Sequence, residues 1–227
     1  MGKWNRLEML IGAENQAKLE KKHVAIIGIG GVGGAAVEAL ARSSIGALTL
    51  IDFDTIDETN INRQIIALNS TISEKKVEIM AKRILDINSH CQVKALDVFI
   101  EEKNISNYLN TNVDYIIDAC DTIRSKQALL KFALENKIPI ISCMGTGNRL
   151  DPSKLVVTTL DKTDYDPLAK IMRKWARESH IKSKITVVSS LEHPIKVEGR
   201  TPASSAFVPN AAGLLLASYV VKKLLEL

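Results

Sequence analysis

The chain has 227 residues and a formal net charge of +4; 46% of its residues are hydrophobic and 25% are charged. A chain of this length and composition can bury a large core, so it needs no metal or disulfide framework for stability. Aromatic residues make up only 4% of the chain, which argues against a single-stranded nucleic-acid surface paved with stacking rings.

The three cysteines, Cys91, Cys120 and Cys143, lie far apart and form no CxxC pair. This spacing excludes a disulfide framework and a four-cysteine zinc site. Residues 1–24 carry scattered charges and no apolar core of the length of a signal peptide. A reduced, cytoplasmic location is therefore expected.

The one candidate for membrane insertion is the uncharged stretch at residues 201–221. Pro202, Pro209 and Asn210 interrupt it and leave fewer apolar residues than the roughly 20 that a spanning helix needs. We expect no stable membrane insertion and predict a core or interface helix over residues 210–227.

Strands and helices are predicted to alternate from residue 24 to residue 142. Short apolar runs predict strands at residues 24–27, 48–51, 92–96, 115–117 and 138–142. Helical spacing predicts helices at residues 35–42, 73–88 and 124–136, the second with Ser73 as its N-cap. This alternation predicts an α/β fold, a Rossmann-like, doubly wound and mostly parallel sheet with helices on both faces.

The alternation weakens after residue 143. Strands are predicted near residues 155–159 and 185–189, a helix at residues 167–180, and then the final helix. We expect residues 144–227 to extend the sheet as a mixed C-terminal part whose loops could form a lid. Residues 1–227 are accordingly expected to form a single domain.

A glycine-rich turn follows the first predicted strand. Gly28, Gly30 and Gly33, with Gly31 between them, fit the G-x-G-x-x-G pattern, and a helix follows directly. Glycines let backbone N–H groups approach a phosphate at a helix N-terminus. Asp52 ends the next strand, where a carboxylate can accept hydrogen bonds from ribose hydroxyls. A nucleotide site is predicted, the alternative being a tight turn without a ligand.

Polar residues further along the chain favour ATP over a dinucleotide. A dinucleotide needs little beyond the glycine turn, whereas ATP adds a leaving pyrophosphate that cations and a metal ion stabilise. Asn60, Arg63 and Lys76 follow Asp52, and Asp121 stands past another strand end as a carboxylate for Mg²⁺. This set is typical of phosphoryl or nucleotidyl transfer.

Each of these residues also has a purely structural alternative. Lys76 could lie on a solvated helix face, and Arg63 could pair with Asp54 or Asp57. Asp121 could be the N-cap of the helix that follows it. The ordered set, rather than any one member, favours the functional interpretation.

The ordered set resembles the adenylating domain of the ubiquitin-activating-enzyme superfamily, which includes the MoeB, ThiF and HesA proteins. The resemblance implies catalytic roles for Arg6, Arg63, Lys76 and Asp121. It implies nucleotide contacts from Gly28, Gly30, Gly31, Gly33, Asp52, Asn60, Arg63, Lys76 and Asp121, with Asp121 also associated with Mg²⁺. In the family, an arginine of the N-terminal segment reaches the partner subunit's ATP, so residues 1–22 are expected to contribute Arg6 across a homodimer.

Within that superfamily the whole chain resembles the tRNA threonylcarbamoyladenosine dehydratase branch, also described as YgdL or CsdL proteins. The resemblance is carried by RLEMLIG, VAIIGIGGVGG, DETNINRQ, MGTGNRLDPSKL, DYDPLAKIMRKWARE, SSLEHPIK and SAFVPNAAGLLLASYVVKKL. Sulfur-carrier activators of the MoeB and ThiF type usually carry two CxxC zinc pairs, which are missing here.

The resemblance implies a reaction on tRNA that carries threonylcarbamoyladenosine beside the anticodon. ATP would adenylate the threonylcarbamoyl carboxylate, and an internal nitrogen would close the ring as AMP leaves. An intramolecular nucleophile sits at high effective concentration, so no catalytic cysteine is required. Cys143 is the one thiol expected to face the nucleotide edge, with a small buried core residue as the favoured alternative. His180 and His193 are expected to be surface or packing residues. The resemblance leaves a sulfur-transfer partner open.

Residues 166–184 carry a net charge of +4, equal to that of the whole chain. The helix predicted within this segment has Leu168, Ile171, Met172 and Trp175 at core spacing. Its other faces carry the residues predicted to bind tRNA, Lys170, Arg173, Lys174 and Arg177. A solvated amphipathic helix is the alternative.

Three other functions remain open from the sequence. One is adenylation of the C-terminus of a ubiquitin-like sulfur carrier, which would use the same fold. The others are an NAD-dependent oxidoreductase and a catalytically inert nucleotide-binding scaffold. Pyrophosphate exchange that depends on an acceptor would distinguish an adenylating enzyme from the last two.

Overall fold

The computed structural model describes residues 2–199 and 201–227. Its strands are β1 (His23–Ile27), β2 (Ala47–Asp52), β3 (Gln92–Asp97), β4 (Tyr115–Asp118), β5 (Ile140–Cys143), β6 (Leu155–Thr159) and β7 (Thr186–Ser190). They form one sheet in the order β3-β2-β1-β4-β5-β7-β6, in which only β6 runs antiparallel to its neighbour. The predicted Rossmann-like sheet with a mixed C-terminal part is confirmed.

Helices cover both faces of this sheet. The described α-helices are α1 (Asn5–Ile11), α2 (Ala13–Leu19), α3 (Gly31–Arg42), α4 (Lys76–Ile87), α5 (Ile105–Tyr108), α6 (Ile123–Glu135), α7 (Pro167–Glu178) and α8 (Phe207–Leu224). The strands β1 and β4 are apolar except for His23 at the start of β1 and Asp118 at the end of β4, which is typical of parallel strands covered on both faces. In the part of the chain that is described, no helix is both long and apolar enough to cross a membrane.

The helices α3 and α8 cross at close range over one face of the sheet. A Cβ atom on Gly213 would lie 2.1 Å from the carbonyl oxygen of Val32, so only glycine allows this approach. Leu216 and Val220 of α8 are fully buried in the same core cluster as Val37 of α3. The C-terminal helix is thus part of the core that supports the glycine-rich turn.

Three helix starts differ from the sequence-based expectation. The helix α3 begins at Gly31, four residues before the predicted start at residue 35. The N-cap assigned to Ser73 is wrong: its φ is 71°, its N–H donates to the Ile56 carbonyl, and α4 begins only at Lys76. The final helix begins at Phe207 instead of residue 210. Pro209 is compatible with this earlier start because the first helical turn needs no backbone donor at that position. The helices α1, α2 and α5 were not predicted.

Candidate nucleotide-binding and adenylation site

A cavity of about 690 Å³ lies at the carboxyl ends of the strands. The strand order reverses at β1, whose neighbours are β2 on one side and β4 on the other. Open α/β sheets bind ligands at such a switch point. The cavity lining includes most of the predicted nucleotide residues: Gly28, Gly30, Gly31, Asp52, Asn60, Arg63, Lys76 and Asp121.

The glycine-rich turn joins β1 to α3 at the edge of this cavity. Gly28 has a φ of 89°, a backbone conformation that favours glycine. A Cβ atom on Gly33 would lie 1.7 Å from the Gly28 carbonyl oxygen. Gly33 is not among the cavity-lining residues, so it allows the turn to close while Gly30 and Gly31 face the ligand space. The N-terminus of a 12-residue helix is therefore open to an anion.

Asp52 is held in place by two backbone donors. Its Oδ2 accepts a hydrogen bond from the Ile29 N–H at 2.5 Å, and its Oδ1 accepts one from the Asp54 N–H at 2.9 Å. Burial raises the pKa of this carboxyl, while Lys76 and the two backbone donors act in the opposite direction. The geometry fixes a carboxylate at the end of β2, where it can accept from ribose hydroxyls.

Arg63 lies on the loop between β2 and α4. Its Nη1 donates to the carbonyl oxygen of Thr59 at 2.7 Å and to Oδ1 of Asn62 at 2.9 Å. The alternative pairing with Asp54 or Asp57 is not observed. Asn60 is buried and forms a reciprocal capping box with Asp57, which fixes the loop that carries Arg63.

Lys76 is the first residue of α4 and is buried, with 5% of its surface exposed. Its Nζ donates to Oδ2 of Asp54 at 2.7 Å. A buried ammonium that lines a cavity is not the solvated helix residue considered as its alternative. Lys76 therefore supplies a positive charge to the cavity. It follows β2, whereas Asp121 follows β4, and these two strands flank β1 on opposite sides.

Asp121 is exposed on the loop between β4 and α6. It is not the N-cap of α6, because Thr122 occupies that position without a side-chain capping bond. The carboxylate accepts a long hydrogen bond of 3.4 Å from the Thr122 hydroxyl. No cluster of three or more candidate ligands occurs among residues 2–199 and 201–227. A single carboxylate still suits Mg²⁺, which usually binds one or two carboxylates together with phosphates and water.

The remaining predicted residues lie outside the cavity lining. Arg6 is exposed on α1. Lys170, Lys174 and Arg177 are exposed on α7, whereas Arg173 is partly buried and its Nη1 donates to the backbone carbonyl of Thr163 at 2.6 Å and to the Thr163 hydroxyl. Arg173 therefore holds a loop as well as carrying charge.

The face of α7 that packs against the protein differs from the prediction at one residue. Ile171 was predicted at core spacing, but it is 44% exposed and lines the cavity together with Pro167 and Leu168. Met172 is fully buried, as expected. The helix thus forms one wall of the cavity because its first turn borders the ligand space.

Sequence reasoning missed a buried ion pair behind the cavity. The Nζ of Lys126 donates to Asp118 Oδ2 at 2.7 Å, to Ser142 Oγ at 3.1 Å and to the Cys143 carbonyl oxygen at 2.9 Å. The Lys126 and Asp118 side chains are fully buried. The available signal was position: Lys126 is three residues before Leu129, on the face of α6 that packs against the sheet.

Two of the three cysteines line the cavity: Cys143, and also Cys120, which was not expected to face the nucleotide edge. Burial raises the pKa of Cys143 to about 12 and that of Cys120 well above its ordinary value. The Sγ of Cys120 donates to Asp118 Oδ1 at 2.9 Å. Both are therefore protonated thiols at neutral pH and poor nucleophiles.

The ThiF family model matches residues 4–226. The chain belongs to the ThiF family. It is 40% identical to the tRNA threonylcarbamoyladenosine dehydratase of Bacillus subtilis, over 98% of this chain and 94% of that protein. The Escherichia coli protein of the same name is 40% identical over 86% of this chain and 71% of its own length.

A solved structure of E. coli tRNA N6-threonylcarbamoyladenosine dehydratase, TcdA, in complex with AMP also resembles this ThiF-family chain. The TM-score is 0.93 with 36% identity, and the match covers 98% of this chain and 93% of that one. The complex of the same protein with ATP gives a TM-score of 0.93 at 35% identity, over 99% and 94% of the two chains.

Proposed function

We propose that this ThiF-family protein is an ATP-dependent tRNA threonylcarbamoyladenosine dehydratase. The observation that carries the proposal is the convergence of the glycine-rich turn, Asp52, Arg63, Lys76 and Asp121 on one cavity. Relatives that match nearly the whole chain have this name, and one of them has been solved with ATP and with AMP.

In the proposed reaction the threonylcarbamoyl carboxylate attacks the α-phosphate of ATP. Backbone N–H groups at the start of α3 bind phosphate oxygens, and Asp52 accepts from the ribose hydroxyls. Arg63 and Lys76 stabilise the negative charge that develops as pyrophosphate leaves. The products of this first step are an acyl-adenylate and pyrophosphate.

The second step needs no protein nucleophile. A nitrogen of the same modified nucleoside attacks the acyl carbon, loses its proton, and AMP departs as the ring closes. The net change in the nucleoside is the loss of one water. The attacking nitrogen and the acyl carbon belong to the same molecule, so no covalent intermediate with a cysteine is needed. The raised pKa values of the Cys120 and Cys143 thiols agree with this.

Mg²⁺ is proposed to bind at Asp121, the exposed carboxylate that lines the cavity near the glycine-rich turn. When bound, the ion would neutralise charge on the phosphate oxygens. This role rests on the chemistry of a single carboxylate beside a phosphate site.

A homodimer is proposed because Arg6 is outside the cavity lining of its own chain. The same helix carries Met9 and Leu10, which are 86% and 81% exposed in the single chain. Burial of two such side chains against a second copy would bring Arg6 toward the partner's ATP. Mixing the Arg6→Ala and Lys76→Ala proteins tests this, because only a mixed dimer would contain one site with both residues. Activity that stays absent after mixing contradicts a shared site.

The tRNA is proposed to contact Lys170, Arg173, Lys174 and Arg177 on α7, whose first turn borders the cavity. A cytoplasmic location is proposed because tRNA is the substrate. A sulfur-transfer partner stays a prediction from the resemblance, and capture by a sulfur-transfer protein in a purified binding assay would test it.

The function is tested by incubating the protein with tRNA that contains threonylcarbamoyladenosine, ATP and Mg²⁺. Nucleoside mass spectrometry should show a loss of one water, with AMP and pyrophosphate formed in equal amounts. Unmodified tRNA, which has no threonylcarbamoyl carboxylate, is the negative control, and a ubiquitin-like sulfur carrier is the alternative acceptor. An unchanged nucleoside mass, or pyrophosphate exchange only with the carrier, would overturn the proposal.

A further inference from the structure

We propose that the rings of Tyr165 and His193 form a stacking platform for an unpaired nucleotide next to the modified adenosine of the tRNA. The proposal rests on the proposed function. The two ring centroids are 3.6 Å apart with an interplanar angle of 38°. Tyr165 is 49% exposed although it contacts His193, and His193 is exposed as well. A large aromatic surface is therefore open to solvent.

The platform lies at the rim of the nucleotide cavity. Tyr165 immediately precedes Asp166, and His193 immediately precedes Pro194; both of these following residues line the cavity. A nucleotide stacked on the platform would therefore be close to any substrate group that enters the cavity. The low aromatic content of the chain excludes an extended stacking surface but leaves room for this single pair.

One buried side chain holds both loops of the platform together. Arg149 is 4% exposed, and its Nη2 donates to the Tyr165 carbonyl oxygen at 2.9 Å. Its Nε donates to the carbonyl oxygen of Glu192, the residue before His193, at 3.2 Å. Its Nη1 donates to the Gly145 carbonyl oxygen at 2.6 Å. Because these bonds go to backbone carbonyls of three loops, they hold the two backbone segments that carry the rings close together.

The backbone at Tyr165 is strained in a way that favours a function. Its φ is 53°, in the left-handed region that bulky side chains rarely adopt. Asp166, the next residue, accepts from the Gly145 N–H at 2.7 Å and from the Ala169 N–H at 3.0 Å. These bonds hold the strained turn, and strain that is maintained at a cavity rim is typical of binding sites.

The chemistry of the platform fits RNA with unpaired bases. Proteins recognise single-stranded loops of RNA by stacking exposed bases on aromatic side chains. The modified adenosine beside an anticodon lies in such a loop, so its neighbours are free to stack. The adenine of ATP is the competing ligand, and the experiment distinguishes the two.

The test measures the affinity of an anticodon stem-loop RNA by fluorescence anisotropy, without turnover. Tyr165→Asn removes the ring but tolerates a positive φ, and Tyr165→Phe keeps the ring. We expect Tyr165→Asn to weaken RNA binding roughly 5- to 150-fold and Tyr165→Phe to bind within about twofold of wild type. The affinity for ATP should not change in either variant.

A second arm identifies the stacked base. Abasic substitution of each nucleotide beside the target adenosine should weaken binding to wild type at one position only. At that position the same substitution should cost nothing further in Tyr165→Asn, since the ring is already absent. His193→Ala is an independent variant, because His193 is not among the residues with a positive φ. We expect it to weaken RNA binding as well.

Three results would overturn the platform. The first is RNA binding as in wild type by both Tyr165→Asn and His193→Ala. The second is that every abasic substitution weakens RNA binding by Tyr165→Asn as much as it weakens binding by wild type. The third is a loss of ATP affinity in parallel with the loss of RNA affinity. If one of these results is obtained and the wild-type protein still removes water from the modified nucleoside, the proposed function stands without the platform. Ring-dependent RNA binding by a protein that changes no nucleoside would overturn the proposed function alone.

Discussion

The ammonium group of Lys76 donates a 2.7 Å hydrogen bond to the Asp54 carboxylate at the wall of the nucleotide cavity. The two ends of this pair differ, because the Lys76 side chain is 6% exposed and that of Asp54 is 47% exposed. Asp54 can turn toward solvent while Lys76 stays in place. Under the proposed function, the phosphates of ATP would replace Asp54 as the partner of a lysine that is already positioned.

Lys76→Ala should slow adenylation far more than it destabilises the fold. Loss of one positioned charge at a developing oxyanion typically costs about 10²–10³ in rate. Asp54 loses its partner in this variant, but its carboxylate is half exposed and stays hydrated, so the fold is little affected. Single-turnover pyrophosphate release with saturating modified tRNA measures the effect, and a thermal melt reports the fold.

Lys76→Arg and Asp54→Asn are the matched controls for this prediction. The first keeps the positive charge, and the second keeps Lys76 with a neutral acceptor. Both should retain more activity than Lys76→Ala. A Lys76→Ala protein with wild-type pyrophosphate release would show that Lys76 does not contact the phosphates.

Local patterns in the sequence predicted most of the strands and helices and eight of the residues that line the cavity. The Gly28 to Gly33 turn and the alternation of strands and helices depend on short-range chemistry, which periodicity and turn residues report. The N-terminal helices were missed because they bury little apolar surface; only Leu19 of α2 is buried.

The missed contacts join segments that are distant in the chain. Lys126 bonds to Asp118 on β4 and to Ser142 on β5, and nothing in a single helix sequence indicates those partners. Arg149 likewise joins loops around residues 145, 165 and 192. A sequence pattern shows which face of an element is apolar but not which buried charge will find a partner there.

Asp121→Asn should raise the Mg²⁺ concentration needed for half-maximal activity by at least about tenfold. Within residues 2–199 and 201–227 the exposed carboxylate accepts one long hydrogen bond, from Thr122, so the melting temperature should stay within about 2 °C of wild type. A titration of activity against Mg²⁺ at fixed ATP gives the shift. Thr122→Ala is the control, since it removes that contact and retains the carboxylate. An unchanged Mg²⁺ requirement in Asp121→Asn argues against metal binding at this residue.

Breaking the buried Lys126–Asp118 pair should strongly destabilise the protein. Lys126→Met leaves the Asp118 charge without its partner in a fully buried position, which typically costs about 3–5 kcal/mol. Replacement of both residues, as in Asp118→Asn with Lys126→Met, should cost less than Lys126→Met alone. Urea denaturation at neutral pH measures the three proteins. Equal stability of Lys126→Met and wild type would contradict this prediction.

The same pair predicts how stability depends on alkaline pH. Burial lowers the pKa of Lys126, but the charge and the hydrogen bond of the Asp118 carboxylate act against this effect, and the pKa lies above its ordinary value of 10.5. A raised pKa means that protonation favours the folded state. This contribution is complete at neutral pH and is lost as the pH rises above 10.5 through the folded-state pKa. Lys126→Met should therefore lose less stability than wild type between pH 9 and pH 12, measured by urea denaturation.

Charge reversal on α7 should weaken tRNA binding in a salt-dependent way. Lys170→Glu with Arg177→Glu removes two exposed charges, and each lost phosphate contact should lower the slope of log affinity against log salt by about 1. Filter binding of tRNA from 50 to 200 mM salt measures the slope, with ATP affinity as the reference. Arg173 is left unchanged because its bonds to Thr163 support the loop before α7. Wild-type affinity and slope in the double variant would remove this face from the tRNA contact.

Cys143→Ala should retain activity within about threefold of wild type, because the proposed reaction forms no thioester. Burial raises the pKa of this thiol to about 12, so at pH 8 almost none of it is the reactive thiolate. Intact-protein mass spectrometry after iodoacetamide treatment at pH 8 should show no alkylation at Cys143 in the folded protein, and alkylation after unfolding in urea. Cys91→Ala is the control, since Cys91 is buried away from the cavity lining. A Cys143→Ala protein that forms the acyl-adenylate but releases no cyclised nucleoside would instead place a thiol in the second step.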